Sequence, residues 1–393
     1  MESAAPLPNV ARANQILTGL RRLRLLSPPI LDAAALEARA LRGAPSDALG
    51  SDDSWREPFS ILVRSLREEA DLNPVGCAMA RAWIIMGLRT RIRAAALWRA
   101  HPEILERPIP APIIILGQMR SGTTRMQRLL ACDHRFAHTR LFESLIPVPQ
   151  PGRRVRARAG AAVLHLLNPA LRHIHPSSPS APEEEFGLFD FSFGNAMFEA
   201  MWRVPTFTSW WEKADRASLY REFRALLQTI AWHRGDRVGR PWILKVPRFM
   251  EDVPILLETF PDARLLSLDR DLETVVASSA SLAWNHMRIH SDRTDRAWIG
   301  REWLRKTLLR KALAEEARSA RPDVPQFATS FDAMDRDWHG EIGRIYDFLG
   351  LALLPPVLAR MEHYMTNARS HLGHRYSLDQ FGLGAGFVTP GRA

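Results

Sequence analysis

Short strand-like runs punctuate this chain at wide intervals, and helical periodicities fill the spaces between them. Ile113-Ile114-Ile115-Leu116 has no polar interruption and is bounded by glycine, the pattern of a strand buried on both faces of a parallel sheet. Trp242-Ile243-Leu244-Lys245 reads as a strand ending at the lysine, and Arg264-Leu265-Leu266-Ser267-Leu268 and residues 327–332 as further strands. Met126, Leu129 and Leu130 then fall at helical spacing. Further helices are predicted over Leu272 to Leu282, over the charged stretch Trp298 to Arg318 at the surface, and over Arg344 to Leu351 with a glycine stop. Strand runs alternating with helices predict an α/β fold: a parallel sheet with helices on both faces.

Residues 1–107 read as an N-terminal helical region, with Phe59, Leu62, Val63 and Leu66 forming an i, i+3, i+4, i+7 stripe and an alanine-rich stretch from Ala78 to Ala100 carrying an arginine face. Such helices form a cap over the sheet or a dimer surface. Pro108, Pro110 and Pro112 lead into the first strand, so residues 108–393 are taken as one domain. Within it, residues 152–240 look like an insertion rich in aromatics such as Phe189, Phe198, Trp202 and Trp211, able to line a pocket for a hydrophobic acceptor or simply to form core.

The turn after the first run, Gly117-Gln118-Met119-Arg120-Ser121-Gly122-Thr123-Thr124, places Ser121 to Thr124 where a helix starts, with unpaired N–H groups and the positive end of the dipole. That is an anion site. The Gly117-x-x-x-x-Gly122 spacing is that of a P-loop-like nucleotide-binding core, yet Thr123 stands where a nucleotide hydrolase carries lysine; Arg120 can replace that charge. A second corner follows the third run. Asp271 is an N-cap, and Ser278, seven residues on, shares its helix face, so Arg270 and Ser278 converge on a point suited to a second phosphate.

Composition narrows the partners. The 393 residues are 46% hydrophobic and 24% charged, ordinary globular material, and the net charge of +10 is nearly all arginine. This balance favours an anionic ligand or surface. The cluster Arg153-Arg154-Val155-Arg156-Ala157-Arg158 lacks interleaved aromatics and is read as a solvated loop or acceptor-side patch, so a nucleic-acid partner is not expected. Cys77 and Cys132 give neither a disulfide framework nor a zinc pattern, no secretory signal precedes the helices, and no run of 18 apolar residues occurs; a cytoplasmic protein is expected. His286 and His290 are four apart with no third ligand apparent, so no metal is assigned.

Together these motifs resemble the sulfotransferase superfamily that uses 3′-phosphoadenosine 5′-phosphosulfate (PAPS). Arg120-Ser121-Gly122-Thr123-Thr124 is similar to its 5′-phosphosulfate loop, in the arginine form of tyrosylprotein and many bacterial sulfotransferases, and Arg270 with Ser278 resembles its 3′-phosphate site. Further echoes are Asp71-Leu72-Asn73-Pro74, Pro182-Glu183-Glu184, Lys245-Val246-Pro247, Phe260-Pro261-Asp262-Ala263-Arg264 and His374-Arg375-Tyr376-Ser377-Leu378.

The resemblance implies in-line sulfuryl transfer from PAPS to a hydroxyl or amine of a small-molecule, lipid or peptide acceptor, without a metal. It implies that Arg120, Ser121, Gly122, Thr123 and Thr124 hold the 5′ end, that Arg270, Ser278 and Arg375 hold the 3′-phosphate, and that Lys245 offsets charge on the leaving oxygen. Glu143 lies about where the tyrosylprotein enzymes place their catalytic glutamate; His175 and the Glu183/Glu184 pair are alternative bases. Two departures stand out: Arg248 and Phe249 where many relatives carry a histidine after Lys-x-Pro, and Phe331 where a tyrosine often meets the adenine. A kinase-like phosphoryl transferase and a non-catalytic nucleotide or nucleic-acid binder are the rival readings.

Overall fold

Ile113 and Ile115 point to one side of the sheet and Ile114 and Leu116 to the other, and each pair is fully enclosed by a different hydrophobic cluster. This period-two division follows from strand geometry and explains why the run tolerates no polar residue. In the computed structural model, which describes residues 6–50, 52–171, 178–367 and 377–384, the run is strand β1 (Ile113–Leu116) at the centre of a five-stranded parallel sheet. The strand order is β2-β3-β1-β4-β5, with β2 Ala137–His138, β3 Trp242–Leu244, β4 Arg264–Asp269 and β5 Gln326–Ser330. In register, Ile114 lies beside Leu244 on one flank and Leu265 on the other.

One face of the sheet is covered by the helix Thr123–Leu130 through Met126, Leu129 and Leu130, and by the helix Trp338–Phe348 through Ile342, Ile345 and Tyr346. The opposite face meets one cluster built from the N-terminal helices (Trp55, Phe59, Leu62, Leu88), the aromatic stretch (Phe189, Phe198, Trp202) and the sheet itself. Those aromatics pack on one another, with Phe189 stacked on Phe223 at 4.7 Å and Phe198 on Trp202 at 5.3 Å. They are core rather than an open acceptor pocket, because their density lets each ring bury against the next.

Several boundaries differ from the sequence reading. The two-residue edge strand β2 carries too short a pattern to be read in advance. Strand β5 stops at Ser330, whose hydroxyl accepts from Ala333 N, so Phe331 opens a helix instead of ending a strand. Arg153–Leu167 is a helix, not a solvated loop. The charged helix Arg296–Ser319 is not confined to the surface: Lys306 and Arg310 are buried in a carboxylate network with Glu199, Glu212 and Glu251. The Asp-Leu-Asn-Pro motif has a structural role, since Asn73 caps the helix Pro74–Ala100 and its N–H donates to His290 O at 2.9 Å.

Candidate active site

The loop leaving β1 contains two residues in the left-handed region, Arg120 (φ 72°) and Gly122 (φ 94°). An arginine is strained there by about 1–2 kcal/mol, so other contacts must hold it. Ser121 Oγ donates to Gln118 O at 2.7 Å, Gln118 Nε2 to Thr307 O at 2.8 Å, and Ser279 Oγ to Met119 O at 3.1 Å. Gly122 is the N-cap of the helix Thr123–Leu130 and supplies no side-chain oxygen, which leaves the first-turn N–H groups to an outside acceptor. A Cβ on Gly122 would lie 2.8 Å from the ring of Phe331. By contrast, Asp271 caps the helix Leu272–His290 by accepting from Thr274 N at 2.8 Å.

At one end of the loop, Arg120 Nε donates to Ser278 Oγ at 3.0 Å and Arg270 Nη1 to Arg120 O at 2.7 Å. The Arg270 guanidinium lies over Phe331, 3.9 Å from the ring centroid, with Arg125 5.0 Å from the same centroid. Arg270 and Ser278 thus each contact Arg120, one at its carbonyl and the other at its guanidinium, and the Phe331 ring lies under the Arg270 cation.

At the other end stands Lys245, just past β3 and 1% exposed. Its Nζ donates to Thr124 Oγ1 at 3.1 Å and is ion-paired with Glu184. The stretch from Pro182 to Glu185 is clamped against the loop helix and β3: Gln127 Nε2 donates to Glu183 O at 3.1 Å, Ser144 Oγ to Glu184 O at 2.7 Å, and Lys245 N to Glu185 Oε2 at 2.7 Å. Burial pushes the Glu185 carboxyl up to about 8, so it is largely protonated at neutral pH. Glu183 is fully buried, whereas the Glu184 side chain keeps 16% exposure.

Glu143 occupies a different environment. It is fully buried, accepts from Arg234 Nε at 2.8 Å and from Arg140 N at 3.0 Å, pairs also with Arg234 Nη2, and has the guanidinium groups of Arg140 and Arg153 at 3.9 Å. Its position at the third residue of the helix Leu141–Leu145 makes it half of a capping box. A carboxylate committed to three arginines and a helix end does not fit a proton acceptor for a substrate. Sequence position cannot separate the two roles, because both ask for a glutamate just inside a helix.

Arg248 is buried beside Trp211, 4.9 Å from the ring centroid; against the upward push of burial, the charge of Arg310 and then that of Arg248 lower the carboxyl pKa of Glu251. His290 lies edge-on to Trp202 with centroids 5.7 Å apart, and burial pushes its pKa down to about 3. Among the described residues, no three of His, Cys, Asp and Glu gather as a metal site. Arg375 and His175 lie outside the described residues.

Comparison with known proteins follows the same lines. A sequence model of the sulfotransferase family matches residues 112–355, from the residue before β1 to beyond β5. The omega-hydroxy-beta-dihydromenaquinone-9 sulfotransferases Stf3 of Mycobacterium bovis and Mycobacterium tuberculosis are each 22% identical to this chain over 294 residues, 68% of this chain and 70% of theirs. The crystal structure of sulfotransferase STF1 from Mycobacterium tuberculosis superposes with a TM-score of 0.76 at 26% identity, covering 91% of this chain and 97% of that one. STF9 from Mycobacterium avium gives 0.78 at 22% identity, covering 90% and 93%.

Proposed function

This chain belongs to the sulfotransferase family, and from that premise we propose that its donor is PAPS and its acceptor a hydroxyl on a lipid-like molecule. One observation carries the donor assignment. Two cationic corners, Lys245 at Thr124 and Arg270 at Arg120, stand at opposite ends of the five-residue stretch from Arg120 to Thr124. A ligand anionic at both ends uses both corners; one with a single phosphate chain leaves the Arg270 corner unused. The lipid-like acceptor rests on the relatives, whose name specifies an omega-hydroxy dihydromenaquinone.

The donor supplies a sulfuryl group on a phosphate that can depart. The residues of this chain do the rest. First-turn N–H groups with Thr123 and Thr124 hold the 5′ end, and Arg270 with Ser278 holds the 3′-phosphate, Arg120 bridging the two ends. Lys245, held by Thr124 and Glu184, offsets charge on the oxygen released when the old S–O bond breaks. Glu184 takes the proton of the acceptor hydroxyl as the new S–O bond forms, since it is the partly exposed carboxylate beside Lys245, whereas Glu143 and Glu183 are fully buried. Residues 108–393 form the donor-binding unit in this reading, and residues 152–240 supply the base.

The test is transfer of radiolabelled sulfate from PAPS to a long-chain alcohol or an omega-hydroxylated quinone. Label should enter the organic phase, and Lys245→Ala should abolish it. An equal rate with adenosine 5′-phosphosulfate as donor would remove the assignment of PAPS.

A further inference from the structure

Among the described residues twelve large hydrophobic side chains stand exposed, and eight of them lie on two short segments: five on residues 16–30 and three on residues 155–166. The second segment is the helix Arg153–Leu167. Its exposed apolar positions Val155, Ala159, Ala162, Val163 and Leu166 form an i, i+4, i+7, i+8, i+11 stripe. The inward face of the same helix is a separate set, Ala157, Leu164 and Leu167. The helix is therefore apolar on two sides, and the protein covers one of them.

The charges carried by the two segments themselves are of one sign. Residues 7–31 and 152–171 contain eight arginines and no carboxylate. Arg22, Arg24, Arg154, Arg156 and Arg158 are exposed. Arg93, on the helix Pro74–Ala100, is held below the ordinary arginine range by burial and then by the positive charges of Arg89 and Arg156. The two segments are joined where Asn9 Nδ2 donates to Leu166 O at 2.6 Å, and exposed Ile16 lies two turns beyond Asn9 on the same face of the helix Pro8–Arg22.

We propose that this face docks the protein onto the surface of an anionic lipid bilayer, the Val155–Leu166 stripe entering the headgroup boundary and the flanking arginines meeting lipid phosphates. An apolar stripe bordered by arginines, on segments that carry no carboxylate of their own, is complementary to a surface that is negative outside and apolar beneath. No helix among the described residues is long and apolar enough to cross a membrane, so the contact is with one leaflet. The covered side of the helix, through Leu164 and Leu167, shares a cluster with Met119 of the anion loop and Leu282, so the bilayer would lie against the far side of the wall that backs the candidate active site. The inference does not depend on which donor or acceptor the enzyme uses.

Cosedimentation of the full chain with vesicles tests it, with no sulfate transfer in the readout. Binding is expected to phosphatidylcholine vesicles containing phosphatidylserine, weakening as salt is raised, and not to phosphatidylcholine alone. The variant V155S/V163S/L166S should bind at least about tenfold less tightly, and R156Q/R158Q about 25-fold less, at roughly fivefold per arginine charge removed. All five side chains are exposed, so circular dichroism and thermal unfolding should match the wild type. Absence of binding to the serine-lipid vesicles, or binding unchanged in both variants, overturns the proposal. So does self-association in light scattering that V155S/V163S/L166S abolishes without any vesicle binding, which would assign the stripe to a second copy of this chain.

Discussion

Arg120 Nε donates to Ser278 Oγ at 3.0 Å although 158 residues separate them in the chain, and the carbonyl of the same arginine accepts from Arg270 Nη1 at 2.7 Å. The loop is thus tied directly to the second cationic corner. A change at either end is felt at the other, because Arg120 is held in a left-handed conformation that it would not keep alone.

Arg270→Ala should weaken 3′-phosphoadenosine 5′-phosphate about 10- to 100-fold, the loss of one charge-assisted hydrogen-bonding group of about 1.5–3 kcal/mol. Adenosine 5′-phosphosulfate, which lacks the 3′-phosphate, should lose far less. Isothermal titration calorimetry of both ligands decides, and equal losses would remove the 3′-phosphate assignment.

Glu184→Gln and Glu143→Ala should separate catalysis from stability. The first should lower kcat by about 10²–10⁴ while the protein unfolds at nearly the same denaturant midpoint. The second should cost about 3–5 kcal/mol in denaturant unfolding, because it strands Arg234 among buried groups. If Glu143→Ala instead left the midpoint unchanged and removed kcat, the roles given to these two carboxylates would be reversed.

Glu185→Gln should change the pH dependence of stability. Its folded pKa, about 8, lies above the unfolded value, so between pH 4.5 and 8 the unfolded chain releases a proton that the native state keeps. Native stability therefore falls across that window as pH rises, by at most about 1.4 kcal/mol per unit from this one group. Glutamine removes the dependence while still accepting from Lys245 N. The variant's melting temperature should gain on the wild type from pH 5 to pH 8; parallel curves would show that Glu185 is ionised in the fold.

Gly122→Ala should impair the site more than the fold. The added Cβ would sit 2.8 Å from Phe331, the ring under Arg270, at a φ of 94°. The αL strain costs about 1–2 kcal/mol, while displacement of Phe331 should cut affinity for 3′-phosphoadenosine 5′-phosphate by about tenfold or more. Affinity equal to the wild type would show that Phe331 does not set the position of the cation.

Much of this was legible in the chain itself. The apolar run with no polar break specified the buried central strand β1, and the spacing from Gly117 to Thr124 specified a turn into a helix start, because both are local consequences of backbone geometry. That Ser278 shares a helix face with the cap Asp271, beside Arg270, was readable because the cap and the helical period are both local. Which glutamate stands beside Lys245 was not. Glu143 and Glu184 are both glutamates next to apolar runs, and what separates them is that the helix Ala217–Arg234 brings Arg234 onto one and strand β3 brings Lys245 onto the other. Likewise the helix Arg153–Leu167 has apolar residues on two sides, and only the packing of Leu164 and Leu167 against Leu282 decides which side is left open. Periodicity and turn chemistry act within a few residues and are written in order along the chain; partnerships between distant charges, and the choice of which face is buried, exist only once the sheet has brought those segments together.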